Sequence, residues 1–346
     1  MTNFYYTDQT YDTSFHYHCL KNCFRQILEY YGVLNAYLYI DVASRFSVTV
    51  PKDLEYCTVS NDIASLDVIP VLSPYVKQQQ FNDPQTAEFV LSKNLATGSP
   101  VIVTVDTFYL PYQLTYNKYH GSHAIIICSE SGKDYQIVDW YEPHYFKGCL
   151  SKKDLRLSRG AQCNSNDNPF SKINTNYYSW LFQRDISEQL AKISGEFIFE
   201  QSIQNVYNNF YNQEQSFLYN NKFFGTSALE KWINYISHIF ESEYTLINKN
   251  FFQELHNSVF LLYITKRLLK YYIFKYKKNF SDVEKALDID MNSIIEAYQN
   301  LLFIIMKIKM LMKGNDYKKI IDIMKKILSQ EIEVGMKIKK MIKGVN

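Results

Sequence analysis

A histidine and an aspartate sixteen positions apart, His123 and Asp139, flank a stretch that reads as a β-hairpin. The run His123-Ala-Ile-Ile-Ile-Cys128 has strand character, the Glu130-Ser-Gly-Lys133 segment has turn character, and Tyr135-Gln-Ile-Val-Asp139 returns. Symmetry about Ser131 sets His123 and Asp139 opposite each other at the open end. A carboxylate on an imidazole fixes its tautomer and stabilises the imidazolium, as a base that activates a nucleophile requires. The nucleophile expected to complete the set is Cys19. From Leu20 onward the apolar residues Leu20, Phe24, Ile27, Leu28 and Tyr31 recur at helical spacing, and Gly32 supplies the stop. A cysteine at such a helix start meets unpaired backbone N–H groups and the positive end of the dipole, which favour the thiolate. The same N–H groups suit an oxyanion.

The neighbouring residues carry weaker alternatives. Cys23, one turn later on the apolar face, is the rival nucleophile, but mid-helix burial raises a thiol pKa. Cys19 itself has a plainer reading as a small buried hydrophobe. His120 and His123 are three apart, so on an extended segment only one faces the thiol. His123 begins the strand, which leaves His120 as a substrate-site residue or a loop residue. Asp106, at the end of the strand-like run Val101-Ile-Val-Thr-Val105, either competes with Asp139 or caps the loop that follows it. That loop, Tyr109-Leu-Pro-Tyr112 and on to Tyr116, is aromatic and suits the wall of an acyl pocket. His16 and His18 flank Cys19 and fit a pocket rim; with no carboxylate beside them, a metal site there is disfavoured. The six cysteines form no C-x-x-C pair, and neither disulfides nor structural zinc are expected.

The order Cys, His, Asp, with the Cys opening a helix and the other two on a hairpin, resembles the papain-like and transglutaminase-like arrangement. More narrowly, His18-Cys19 with its helix to Gly32, then Asp106-Thr-Phe-Tyr-Leu-Pro-Tyr112, then His120-Gly-Ser-His123 and the strand to Asp139, resembles the N-terminal domain of the butirosin-biosynthesis acyltransferase family. Phe223-Phe-Gly-Thr-Ser-Ala-Leu229 is similar to the start of the helical region that follows this domain in relatives. The resemblance implies an N-acyltransferase that takes an acyl group from the phosphopantetheine arm of an acyl or peptidyl carrier protein. It passes the group through a Cys19 thioester to a free amine, such as a diamine or amino sugar, in natural-product assembly. It implies Cys19, His123 and Asp139 as the catalytic triad. His18, Asp106, Tyr109, Tyr112 and His120 are the candidates for the substrate site, and no cofactor beyond the carrier's arm is implied. A cysteine peptidase or amidase would use the same triad, and a binding module on the same fold would use none of it.

The elements that must position these residues follow from patterning. Pro84 to Leu95 reads as a helix, and Val101 to Val105, almost wholly apolar, as a central strand. From Cys149 to Asn174 the chain turns polar and reads as a surface crossing. Beyond Trp180 strand signals vanish; helices are expected over Ile186–Tyr211, Thr226–Phe240, Asn250–Tyr276, Asp282–Met312 and Tyr317–Met341. The expected class is α+β: a papain-like catalytic domain over 1–180, with an antiparallel sheet and an N-terminal catalytic helix, then an all-helical bundle over 181–346.

Composition sets the outer limits. With 346 residues, 47% hydrophobic and 21% charged, the chain can bury a substantial core. Thirty Tyr and 23 Phe spread along its whole length discount any single aromatic stripe. The first fifteen residues hold neither a basic leader nor an apolar h-region, and no apolar run reaches a membrane span, so a cytoplasmic protein is expected. No Gly-rich phosphate loop is present, so any amide synthesis would draw on a thioester rather than a nucleotide. From Lys307 to Asn346 eleven Lys face four acids in a chain of net charge +2. Nucleic acid is disfavoured, since Arg clusters and aromatic platforms are missing there. An acidic carrier protein fits such a face, as does plain solvation.

Overall fold

The computed structural model describes residues 19–43, 45–49, 58–61, 69–141, 144–164, 172–212, 222–242, 247–276, 281–311 and 317–343. In chain order the helices are α1 (Cys19–Tyr30), α2 (Pro84–Ala96), α3 (Lys152–Arg159), α4 (Ile186–Leu190), α5 (Gly195–Val206), α6 (Gly225–Ser242), α7 (Lys249–Tyr276), α8 (Asp282–Leu311) and α9 (Tyr317–Lys343). The strands are β1 (Phe46–Thr49), β2 (Thr58–Asn61), β3 (Val76–Gln79), β4 (Val101–Asp106), β5 (Ser122–Ser131), β6 (Asp134–Tyr141), β7 (His144–Ser151), β8 (Gln162–Asn164), β9 (Lys172–Asn174), β10 (Ser179–Phe182) and β11 (Lys222–Phe224). The architecture is α+β, with an antiparallel sheet and a helical C-terminal region.

By contacts the chain forms two compact units, Met1–Asp41 with Leu66–Ser194, and Val42–Ser65 with Gly195–Asn346. In the first, six strands run in the order β3-β10-β4-β5-β6-β7, every neighbouring pair antiparallel. β4 is buried at every position, in keeping with its almost wholly apolar run. Alternate residues Val101, Val103, Val105, Ile125, Ile127, Tyr135 and Ile137 form one core with Leu91 and Leu95 of α2 and Leu155 of α3. Trp180, paired with Ile102 of the opposite parity, takes Phe24 of α1 edge-on at 6.1 Å. Helices therefore cover both faces of the sheet, α1 on one and α2 with α3 on the other.

α1 ends where expected: Gly32 takes φ +80°, a conformation that costs a residue bearing Cβ. α2 is capped by Asp83, whose side chain accepts from the Thr86 N–H at 2.7 Å, with Pro84 in the first turn. The polar stretch expected to be a surface crossing instead holds the end of β7, α3, β8 and β9. Ser151 caps α3 by accepting from the Asp154 N–H at 3.0 Å, and Leu155 is the helix's contribution to the core. Strands occur at and beyond Trp180: β10, which contains Trp180, lies between β3 and β4, and β11 pairs with β1. Both are short and gain their stability from distant partners, which local patterning does not register. The helix expected over Ile186–Tyr211 is broken between Leu190 and Gly195 and ends in a π-type turn, Tyr207–Tyr211.

In the second unit, β11-β1-β2 form a three-stranded antiparallel sheet that packs on α6 and α7, and α7, α8 and α9 pack in succession. The other long helices follow the expected periodicity to within a few residues. Gly225 joins β11 to α6 with φ +56°, and a Cβ there would lie 2.0 Å from the Phe210 carbonyl oxygen. Only glycine fits. No described helix is long and apolar enough to cross a membrane.

Candidate active site

Cys19 is the first residue of α1, and the helix behind it is buried at every position from Leu20 to Leu28. Burial on all sides fixes the helix axis, while Cys19 at its tip keeps partial exposure. Cys19 thus belongs to a first turn, whose N–H groups lack helical partners, and its side chain is partly open to solvent. Cys23, one turn on, is 2% exposed and directs its thiol at the Ala124 carbonyl at 3.5 Å. Burial, then Cys19 and Asp139 nearby, push its pKa well up, the opposite of what a nucleophile needs.

His123 Nε2 lies 2.8 Å from Asp139 Oδ1, and both side chains are buried. The pairing is diagonal rather than directly across the hairpin. The tight turn sets Ser131 against Asp134, and a bulge between Ile127 and Ser129 shifts the register so that Ile126 opposes Val138. One further step along that ladder sets Asp139 against Ile125, two residues from His123. A separation of two keeps both side chains on one face, within reach of each other.

With Nε2 turned to the carboxylate, the other ring nitrogen, Nδ1, is the one that could serve a thiol, and Cys19 is near enough to act on the imidazole's pKa. Burial works to lower the His123 pKa; the Asp139 charge and then the Cys19 sulfur outweigh it and hold the imidazole well above its usual value. That direction favours the imidazolium, the condition for an imidazolium–thiolate pair. Asp139 Oδ2 accepts from the Tyr112 hydroxyl at 3.0 Å and from Gln113 Nε2 at 2.7 Å. Three donors on two carboxylate oxygens satisfy a fully buried acceptor.

Asp106 is used elsewhere. Its Oδ1 accepts from the Phe108 N–H at 3.1 Å and the Gly121 N–H at 3.0 Å, and its Oδ2 lies 2.6 Å from His120 Nδ1. It caps the short 3₁₀ turn Thr107–Tyr109 and closes the neck of the loop, the second of the two roles its position allowed. His120 stacks on Phe108 at 4.3 Å with Tyr109 edge-on at 6.3 Å, so these three form a separate cluster about the loop neck. Tyr112 packs face to face on Phe146 at 4.0 Å and spends its hydroxyl on Asp139. His18 and His16 lie outside the described residues. Among the described residues no cluster of three or more His, Cys, Asp or Glu side chains could hold a metal.

Two contributors have no signature in the sequence. Gln113 sits in a loop without periodicity, and Ser158, whose hydroxyl bonds both the N–H and the carbonyl of Asp106 at 3.0 and 3.1 Å, belongs to a helix that polarity concealed.

A thiol at a buried helix's tip, an imidazole and a carboxylate, set on the end of an antiparallel sheet, define an α+β protein with the groups that covalent cysteine chemistry needs. Residues 18–140, the segment that carries all three, match the family described as Butirosin biosynthesis protein H, N-terminal. No curated protein matches the chain.

Proposed function

We propose that the protein is a cysteine-dependent N-acyltransferase on a papain-like domain, using Cys19 as nucleophile, His123 as proton carrier and Asp139 as its orienter. The observation that carries this reading is the buried His123–Asp139 pair, Nε2 to Oδ1 at 2.8 Å, with Cys19 at the start of α1 near enough to raise the His123 pKa. The matched family, butirosin biosynthesis protein H, supports a place in antibiotic biosynthesis.

In the proposed reaction the Cys19 thiolate attacks the carbonyl carbon of an acyl group carried as a thioester on a carrier protein's phosphopantetheine arm. The S–C bond to Cys19 forms, the oxyanion collapses, and the carrier thiolate leaves with the proton from the His123 imidazolium. Backbone N–H groups at the start of α1 suit the oxyanion. The amine then attacks the Cys19 thioester, His123 takes its proton, and the amide departs as the Cys19 thiolate re-forms. Thioester energy suffices without a nucleotide. The protein would work in the cytoplasm with an acidic carrier partner, for which the Lys-rich stretch from Lys307 is the matching surface.

Partitioning of the preformed acyl-enzyme tests this against hydrolysis. With a panel of amines present, the account expects amide as the dominant product. Free acid at the same rate with or without amine would make the protein a hydrolase. A partner bound equally well by wild type and Cys19→Ala, with no turnover by either, would make it a binding module.

A further inference from the structure

The loop between β4 and β5 is tied at both ends and in its middle. Asp106 bonds the Phe108 and Gly121 N–H groups, and the Thr107 N–H donates to the Gly121 carbonyl at 2.9 Å. Ser158 fixes the Asp106 backbone in turn. Midway, Leu110 is fully buried and Tyr112 lies flat against Phe146, which sits opposite Asp139 on β7. Turn bonds from the Leu110, Gln113 and Tyr116 N–H groups to the Thr107, Leu110 and Gln113 carbonyls give the loop a defined shape. It delivers two donors to a single atom, Asp139 Oδ2.

A carboxylate held only by an imidazole on one oxygen can rotate about its Cβ–Cγ bond. Two donors on the other oxygen lock that rotation. We propose that Tyr112 and Gln113 are positioning residues that hold Asp139 in line with His123, making the Thr107–His120 loop part of the acid–base apparatus rather than solely a pocket wall. The inference rests on Cys19, His123 and Asp139 acting together as proposed above. Loss of either donor lets the carboxylate drift, weakens its hold on the imidazolium, and returns Cys19 toward an ordinary thiol.

The test is the pH profile of Cys19 alkylation by iodoacetamide in the full chain, followed by peptide mass. An imidazolium–thiolate pair alkylates well at about pH 6.5, whereas an ordinary thiol, with a pKa of about 8.5, does so only at higher pH. Tyr112→Phe and Gln113→Leu are each expected to slow alkylation about tenfold at the lower pH, and to leave it nearly unchanged at about pH 9.5, where any cysteine is thiolate. Leu114→Ala, on an exposed side chain of the same loop, should keep the wild-type profile. Equal slowing at both pH values would signal general damage and overturn the proposal. A wild-type profile for Tyr112→Phe and Gln113→Leu alongside a shifted one for Asp139→Asn would also overturn it while sparing the reading of the site. A wild-type profile for Asp139→Asn as well would bring down the reading of the site itself.

Discussion

Replacing Glu331 by Gln should destabilise the helical unit by about 3 to 5 kcal/mol, the cost of leaving a buried charge without its partner. Lys266 on α7 and Glu331 on α9 are 1% and 0% exposed and lie 2.8 Å apart. Glu331 also accepts from the Tyr211 and Tyr298 hydroxyls, each at 3.0 Å. The Lys266 ammonium donates to the Tyr211 hydroxyl at 3.0 Å and stands 3.5 Å above the Phe210 ring. Burial lowers the Lys266 pKa, and the Glu331 charge works against that fall. In Glu331→Gln the ammonium keeps a tyrosine oxygen and a ring face, neither of which carries charge. Lys266→Met leaves the carboxylate with two hydroxyl donors and should cost somewhat less. The double variant Lys266→Met/Glu331→Gln removes both charges and keeps an amide oxygen for the two hydroxyls, at about 1 to 3 kcal/mol for the bond that is lost. It should therefore cost less than the sum of the singles by at least about 2 kcal/mol. Urea unfolding of the full chain, followed by helical circular dichroism, measures all four corners of the cycle. Singles that each lose less than about 1 kcal/mol, or a double equal to their sum, would refute the reasoning.

Four further outcomes follow, three from the site and one from the second unit. Cys23→Ala should retain acyl-enzyme formation, checked by intact mass, because its buried thiol has a raised pKa and faces a carbonyl. The alkaline limb of the acylation rate should lie above that of an ordinary imidazole, since Asp139 and then Cys19 overcome the downward push of burial on His123. The sign follows from the leaving thiol's need for the imidazolium proton, so activity falls as pH rises through the His123 value. Asp139→Asn should move that limb to lower pH and cost about a hundredfold in rate, the equivalent of about 3 kcal/mol. Gly225→Ala combines a left-handed backbone with a contact 2.0 Å from the Phe210 carbonyl oxygen. It should lower stability by about 3 kcal/mol in a thermal or urea melt.

How far the sequence could be read depended on how local each signal was. α1 was legible because Leu20, Phe24, Ile27 and Leu28 repeat at helical spacing and Gly32 stops them. β4 was legible because all of its residues are buried. His123 and Asp139 meet although the hairpin is bulged, because strand parity preserves their shared face while the exact partner changes. β10 escaped notice because Trp180 and Phe182 owe their place to β3 and β4, about eighty to a hundred residues away. α3 escaped because Leu155 is its one core residue; the Ser151-x-x-Asp154 start was its readable mark. The choice for Asp106 between a third catalytic group and a loop cap was open in the sequence, and its bonds to Phe108, Gly121 and His120 resolve its place in the fold. Gln113 carries no pattern at all, since its role depends on a loop shape fixed by contacts at both ends.

The central claim is that Cys19 carries the acyl group. Intact-protein mass spectrometry of wild type and Cys19→Ala, after exposure to an acyl-loaded carrier protein and then to diamines, tests it most directly. The account predicts an acyl adduct on wild type, none on Cys19→Ala, and discharge of the adduct as amide on adding the amine. Equal labelling of both proteins, or no adduct on wild type under any loading, would contradict it.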